Sequence, residues 1–75
     1  MGDPMERITI DPEILSGKPV IKGTRIPVYL IIELLGSGMT ETEILDQYPT
    51  LKKNGIKAAL IYASKCVENE ETIII

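Results

Sequence analysis

Apolar and polar positions alternate over Arg7-Ile8-Thr9-Ile10-Asp11, the period-two pattern of a short half-buried strand. Asp11-Pro12 ends it. The next apolar positions form two short β-prone runs, Pro19-Val20-Ile21 and Thr24-Arg25-Ile26, separated by Lys22-Gly23. This arrangement predicts a tight hairpin with Gly23 at positive φ. A single short hairpin is barely stable in water, so it must lie against helices or against a second copy of itself.

From Pro27 the period changes. Proline suits the first turn of a helix, where its missing N–H costs nothing, and VYLIIELL continues to Leu35 before Gly36-Ser37-Gly38 stops it. Only Glu33 is charged in that run, so the helix is apolar nearly all round and needs cover on more than one side. In a small chain the second cover is expected to be another subunit, with Val28, Ile31, Ile32 and Leu35 at the contact. Thr40-Glu41-Thr42-Glu43 then fits a capping box, and Met39 and Ile44 occupy the hydrophobic-staple positions around it. That second helix should end near Gln47, before Tyr48-Pro49.

A third helix is predicted from about Lys52 or Asn54 to about Val67. Ile56, Ala59, Leu60, Ala63 and Val67 recur at helical spacing as its buried stripe. Asn54, Lys57, Ala58, Ile61, Tyr62 and Lys65 fall on the opposite face. Beyond the Glu68–Glu71 cluster comes Thr72-Ile73-Ile74-Ile75, an apolar, β-branched stretch expected to be covered by this domain or a partner. Ile73, Ile74 and Ile75 therefore join the expected contact residues. The pattern gives one domain, residues 7–69, with a flexible N-terminus over 1–6 and a tail over 70–75 able to form a strand. Met1–Pro4 precede a second methionine, Met5, and read as residues left over from recombinant expression.

Composition narrows the chemistry. Hydrophobic residues make up 44% of the 75, as in a folded protein, yet a domain this small buries only about 60% of its unfolded surface. With one cysteine and no histidine, neither a disulfide framework nor a usual zinc site can add stability. Self-association is the expected source, hence a homodimer. Cys66 is expected to be a small core residue, since no histidine stands ready to activate it. No apolar run approaches the ~20 residues of a membrane span, and no signal peptide opens the chain, so a cytoplasmic location without membrane contact is expected.

Net charge is −3, against a general nucleic-acid binder, but the charges are segregated. Lys52, Lys53, Lys57 and Lys65 occur between Gln47 and Val67 without an acid. Lys18, Lys22 and Arg25 do the same between Leu15 and Leu30. Two such segments suggest one positive face, though solvated lysines on a helix would give the same count. The glycines and lysines of SGKPVIKGTRIPV do not make a nucleotide loop. Pro12 stands where the first glycine belongs, and Pro19 replaces the required Ser or Thr. Without histidine, paired carboxylates in an apolar setting or metal spacing, an acid–base pair is lacking, so no enzyme, cofactor or small-molecule substrate is expected. A capped helix, a turn at Tyr48-Pro49 and a lysine-bearing helix form a helix-turn-helix candidate. Lys52, Lys53, Asn54 and Lys57 stand at the helix end that would reach DNA, with Ala58 or Ile61 against a thymine methyl. Tyr62 and Arg25 complete the expected nucleic-acid contacts. A plain three-helix domain with exposed lysines is the alternative.

RITIDPEILSGKPVIKGTRIPV, LLGSGMTETEIL, YPTL and IKAALIYA together resemble the domain-of-unknown-function 433 family of bacteria and archaea over about residues 7 to 65. GKPVIKGTRIPV is the most specific part. The resemblance implies a mostly α, homeodomain-like three-helix fold with a short N-terminal β element, usually dimeric. It also implies an antitoxin role beside a PIN-like ribonuclease toxin, with binding to double-stranded DNA at its own promoter. A protein-interaction module without DNA binding, using the apolar first helix and the Ile tail, is the alternative. Members commonly place Thr and acids after the YPxL element. Here Lys52-Lys53-Asn54-Gly55 stands instead, so the third-helix cap is weakened or shifted to Asn54.

Overall fold

The computed structural model describes residues 7–69. The expectations for residues 1–6 and 70–75, including those for Ile73, Ile74 and Ile75, lie outside the described residues. In chain order the elements are β1 (Ile8–Thr9), a short 3-10 turn (Leu15–Gly17), β2 (Val20–Ile21), α1 (Val28–Gly36), α2 (Glu41–Gln47) and α3 (Lys53–Glu68). The domain is mostly helical with a short β element ahead of three helices, as the hydrophobic pattern predicts.

The predicted hairpin is corrected in one respect. β2 pairs antiparallel with β1, Ile8 opposite Ile21 and Thr9 opposite Val20. On its other edge it makes only a single bridge, Val20 to Pro27, so Thr24-Arg25-Ile26 is not a strand. Proline has no N–H with which to extend that ladder. The turn itself forms: Thr24 N–H donates to the Ile21 carbonyl at 3.0 Å. Gly23 takes φ +82° at the third turn position, the conformation that glycine adopts without a steric penalty. The Thr24 hydroxyl donates to the same carbonyl at 2.8 Å and accepts from Ile26 N–H at 3.0 Å.

The same stretch starts α1. Pro27 is its N-cap, one position earlier than expected, and Val28 N–H donates to the Pro19 carbonyl at 2.9 Å. A helix-start donor that would otherwise lack a partner is thereby satisfied from the β element. Just upstream, Leu15 and Ser16 take positive φ of 49° and 57°, a left-handed turn costing roughly 1–2 kcal/mol per residue. It brings the chain round to Lys18, whose Nζ lies 5.0 Å from the Tyr29 ring centroid.

Val20, Ile31, Ile44 and Ile56 are fully buried. Ile21, Ile26, Val28, Leu51 and Ala59 close the core around them, and Leu30, Ile32, Leu34 and Leu35 pack against it half-buried. α1 packs mainly on α3 and also touches α2, so much of its apolar circumference is covered inside one chain. Val28 and Ile31, expected at a subunit contact, are core residues 5% and 0% exposed. No helix among the described residues is long and apolar enough to cross a membrane.

The buried face of α3 also differs from the expected one. Gly55, Ile56, Ala58 and Ala59 are buried, whereas Leu60 and Val67 are 46% and 60% exposed and Ala63 is half-buried. The cause is close packing at Gly55. A Cβ there would lie 2.9 Å from Leu51 Cδ1 and 3.1 Å from Ile21 Cγ2. α3 therefore approaches the β element through its smallest side chains, and its larger ones turn outward. Cys66, expected in the core, is exposed; it shares the face of Gly55 and Ala59 but lies in the last turns of α3, which are exposed from Ser64 onward.

Candidate nucleic-acid interface

α2 begins with the predicted capping box. Glu43 N–H donates to Thr40 Oγ1 at 3.2 Å, and Thr40 N–H donates to Glu43 Oε1 at 2.9 Å. The Thr40 hydroxyl donates to that same oxygen at 3.1 Å. These bonds hold the Glu43 carboxyl below its ordinary pKa, the backbone donor contributing most. Met39 packs against the core that contains Ile44, as the staple pattern requires.

After Gln47, residues 48–52 turn the chain into α3. Leu51 N–H donates to the Tyr48 carbonyl at 2.9 Å, and the buried Leu51 side chain anchors the turn. Lys52 is the N-cap, without a side-chain capping bond, and no acid stands in the first turn of α3. The cap has not moved to Asn54, which lies inside the helix. The Lys52 carbonyl accepts from Gly55 N–H at 2.8 Å and Ile56 N–H at 3.3 Å. The N-terminus of α3 is thus basic where most helices place an oxygen acceptor or an acid.

Lys53, Asn54 and Lys57 are exposed and border one recess with Leu60 and Glu41. Two of these residues were not anticipated. The hydrophobic pattern places Leu60 in the core, and Glu41, the first residue of α2, enters the site only through tertiary packing. Ala58 is fully buried and cannot reach a base. Leu60 is the apolar side chain this face presents instead, beside the half-buried Ile61.

The other expected contacts lie apart. Lys52 borders a separate cleft with Arg7 and Lys22, while Arg25 is exposed and lines neither space. Tyr62 is half-buried and borders an apolar groove between α1 and α3, about 580 Å³, with Tyr29, Ile32, Cys66 and Val67. Burial there raises the Tyr62 hydroxyl pKa above its ordinary value, and the neighbouring Cys66 adds to the shift. Of the expected partner residues, Val28 and Ile32 line this groove and Leu35 does not.

Fold and site together define a small three-helix domain with a two-stranded sheet and a basic helix start. The chain belongs to the family described as Protein of unknown function (DUF433), whose family model matches residues 8–63. It is 40% identical over 58 residues to the uncharacterized protein y4eO of Sinorhizobium fredii, covering 77% of this chain and 26% of that protein. It is 67% identical over 24 residues to an uncharacterized protein of Archaeoglobus fulgidus, covering 32% of this chain and 67% of that one. The crystal structure of a DUF433 member from Anabaena variabilis superposes with a TM-score of 0.78 at 32% identity, covering 83% of this chain and 61% of that one. The chain thus spans about a quarter of the length of the Sinorhizobium relative.

Proposed function

We propose that this chain is a DNA-binding regulator of the antitoxin type, dimeric, with α3 in the major groove and a PIN-like ribonuclease toxin as its protein partner. The antitoxin role comes from the family resemblance. The DNA contact is supported by one observation: Lys53, Asn54 and Lys57 are exposed together at a helix start that has neither cap nor acid. Lysines in that position oppose the helix dipole, each at a typical cost of ~0.3–1 kcal/mol. A DNA phosphate reverses the sign by meeting both the lysines and the free N–H groups. Asn54 is suited to adenine, and Leu60 offers an apolar contact for a thymine methyl.

The test is a fluorescence titration against the DNA upstream of the chain's own gene. Lys53→Glu with Lys57→Glu should weaken binding by at least about tenfold, and affinity should fall as salt rises. Affinity in the non-specific range of roughly 10⁻⁴–10⁻⁶ M, unchanged in the double variant, would end this reading.

A second reading, a protein-interaction module without DNA contact, is favoured by the apolar groove between α1 and α3. Tyr29 and Val67, 52% and 60% exposed, stand at that groove. Val67→Asp should then weaken capture of the protein partner, and the parent chain should bind duplex DNA no more tightly than the non-specific range.

A further inference from the structure

We propose that the cleft between the Ile21–Thr24 turn and the start of α3 is a phosphate-binding site, with Arg7, Lys22 and Lys52 holding one phosphoryl group. The three side chains come from segments far apart in the sequence: the start of the sheet, the turn after β2 and the head of α3. All three line a single cleft of about 290 Å³, and among the described residues no carboxylate lines it. Three like charges converging without a counter-charge repel one another, and an anion seated among them relieves that repulsion.

The backbone fixes this convergence before any ligand arrives. Lys22 N–H donates to the Arg7 carbonyl at 2.7 Å, tying two of the cationic residues together across the sheet. Gly55 lets α3 come so close that its absent Cβ would lie 3.1 Å from Ile21 Cγ2, which brings Lys52 up to the turn. The backbone thus places the three residues around one cleft, and their exposed side chains close on the anion as it binds.

Size and lining select the ligand. At about 290 Å³ the cleft lies at the lower bound of the ~300–1,000 Å³ usual for drug-sized ligands, and among the described residues no aromatic side chain lines it, so a base finds nothing there on which to stack. A carboxylate presents its oxygens in one plane, whereas a phosphate group presents them tetrahedrally, so donors from three segments can reach it from different sides. A monoester adds about −1.5 to −2 charges and a backbone diester about −1. Thr50 adds a hydroxyl to the lining. The inference does not depend on the proposed major-groove contact, because neither Lys53 nor Lys57 lines this cleft. The phosphate belongs either to a free phosphorylated ligand or to a nucleic-acid backbone.

The experiment follows backbone amide shifts of the full chain by NMR, titrated with inorganic phosphate and separately with a short DNA duplex. Saturable shifts at Lys22, Gly23, Thr24 and Lys52 are expected with at least one probe. Phosphate alone points to a free ligand, and the duplex alone points to a backbone clamp; either supports the site. Arg7→Gln, Lys22→Gln and Lys52→Gln should each weaken that binding about five- to tenfold. Lys52→Arg should retain it, and Lys65→Gln, outside the cleft, should leave it unchanged. The proposal is overturned if neither probe gives saturable shifts at the turn, or if Lys65→Gln weakens binding as much as Lys52→Gln.

Discussion

Thr24 shows how much of the fold rests on single side chains. Its hydroxyl closes the turn to the Ile21 carbonyl and also receives the Ile26 N–H, both in a partly buried setting. Thr24→Ala should therefore destabilise by about 1–2 kcal/mol, the typical cost of leaving a buried donor unpaired, while Thr24→Ser should lose much less. Urea unfolding of the two variants distinguishes them, and equal losses would mean that the methyl group, not the hydroxyl, matters. Gly55 makes the complementary case. Alanine is the better helix former by ~1 kcal/mol, but the added Cβ meets two buried neighbours at 2.9 and 3.1 Å. Overpacking of this kind typically costs 1–3 kcal/mol, so Gly55→Ala should be net destabilising in the same assay, and Gly55→Leu more so. A stabilised Gly55→Ala would show that Leu51 and Ile21 can move aside cheaply.

Among the elements, α2 depends most on its ends. It has seven residues, well short of the ~12–15 at which isolated helices become even marginal in water, so Thr40, Glu43 and Ile44 sustain it from its N-terminus. The folded-state pKa of Glu43 is depressed. Its contribution is accordingly present above the unfolded pKa and is lost as pH falls through the lower folded value. Glu43→Gln keeps a capping-box side chain without the charge. Its stability deficit against the parent should be largest near neutral pH and should shrink on acidification. Melting curves across that range check it, and a pH-independent difference would contradict the assigned cause. The starts of α1 and α2 were legible in the sequence because Pro27 and the Thr40 box are local signals. The face of α3 was not. A reading by hydrophobicity centres the stripe Ile56, Ala59, Leu60, Ala63 and Val67 near Ile56 and Ala63, while close packing over Gly55, Ile56, Ala58 and Ala59 centres it between Gly55 and Ala59, a rotation of roughly 80° at 3.6 residues per turn. Nothing in the hydrophobic pattern distinguishes small residues chosen for contact from small residues left over.

At the scale of the whole molecule, the sequence shows two basic segments but not how the fold divides them. Lys22 and Lys52 meet at one cleft, Lys53 and Lys57 face another recess, and Arg25 joins neither. The pairing of β1 with β2 brings Arg7 to the first, and the packing of α2 brings Glu41 to the second; both are long-range events that a local pattern cannot encode. Glu41 offers a discriminating test of the DNA reading. Its carboxylate complements the positive end of α2, so it favours folding, yet it shares the recess that Lys53 and Lys57 would present to phosphates. Glu41→Gln should therefore lower the melting temperature slightly while raising affinity for duplex DNA about two- to fivefold, the scale of one exposed charge interaction. Stability and affinity move in opposite directions only if that recess meets DNA. A variant that loses stability without gaining affinity would place the Lys53–Lys57 face away from the duplex and leave the apolar groove between α1 and α3 as the better candidate for the chain's principal contact.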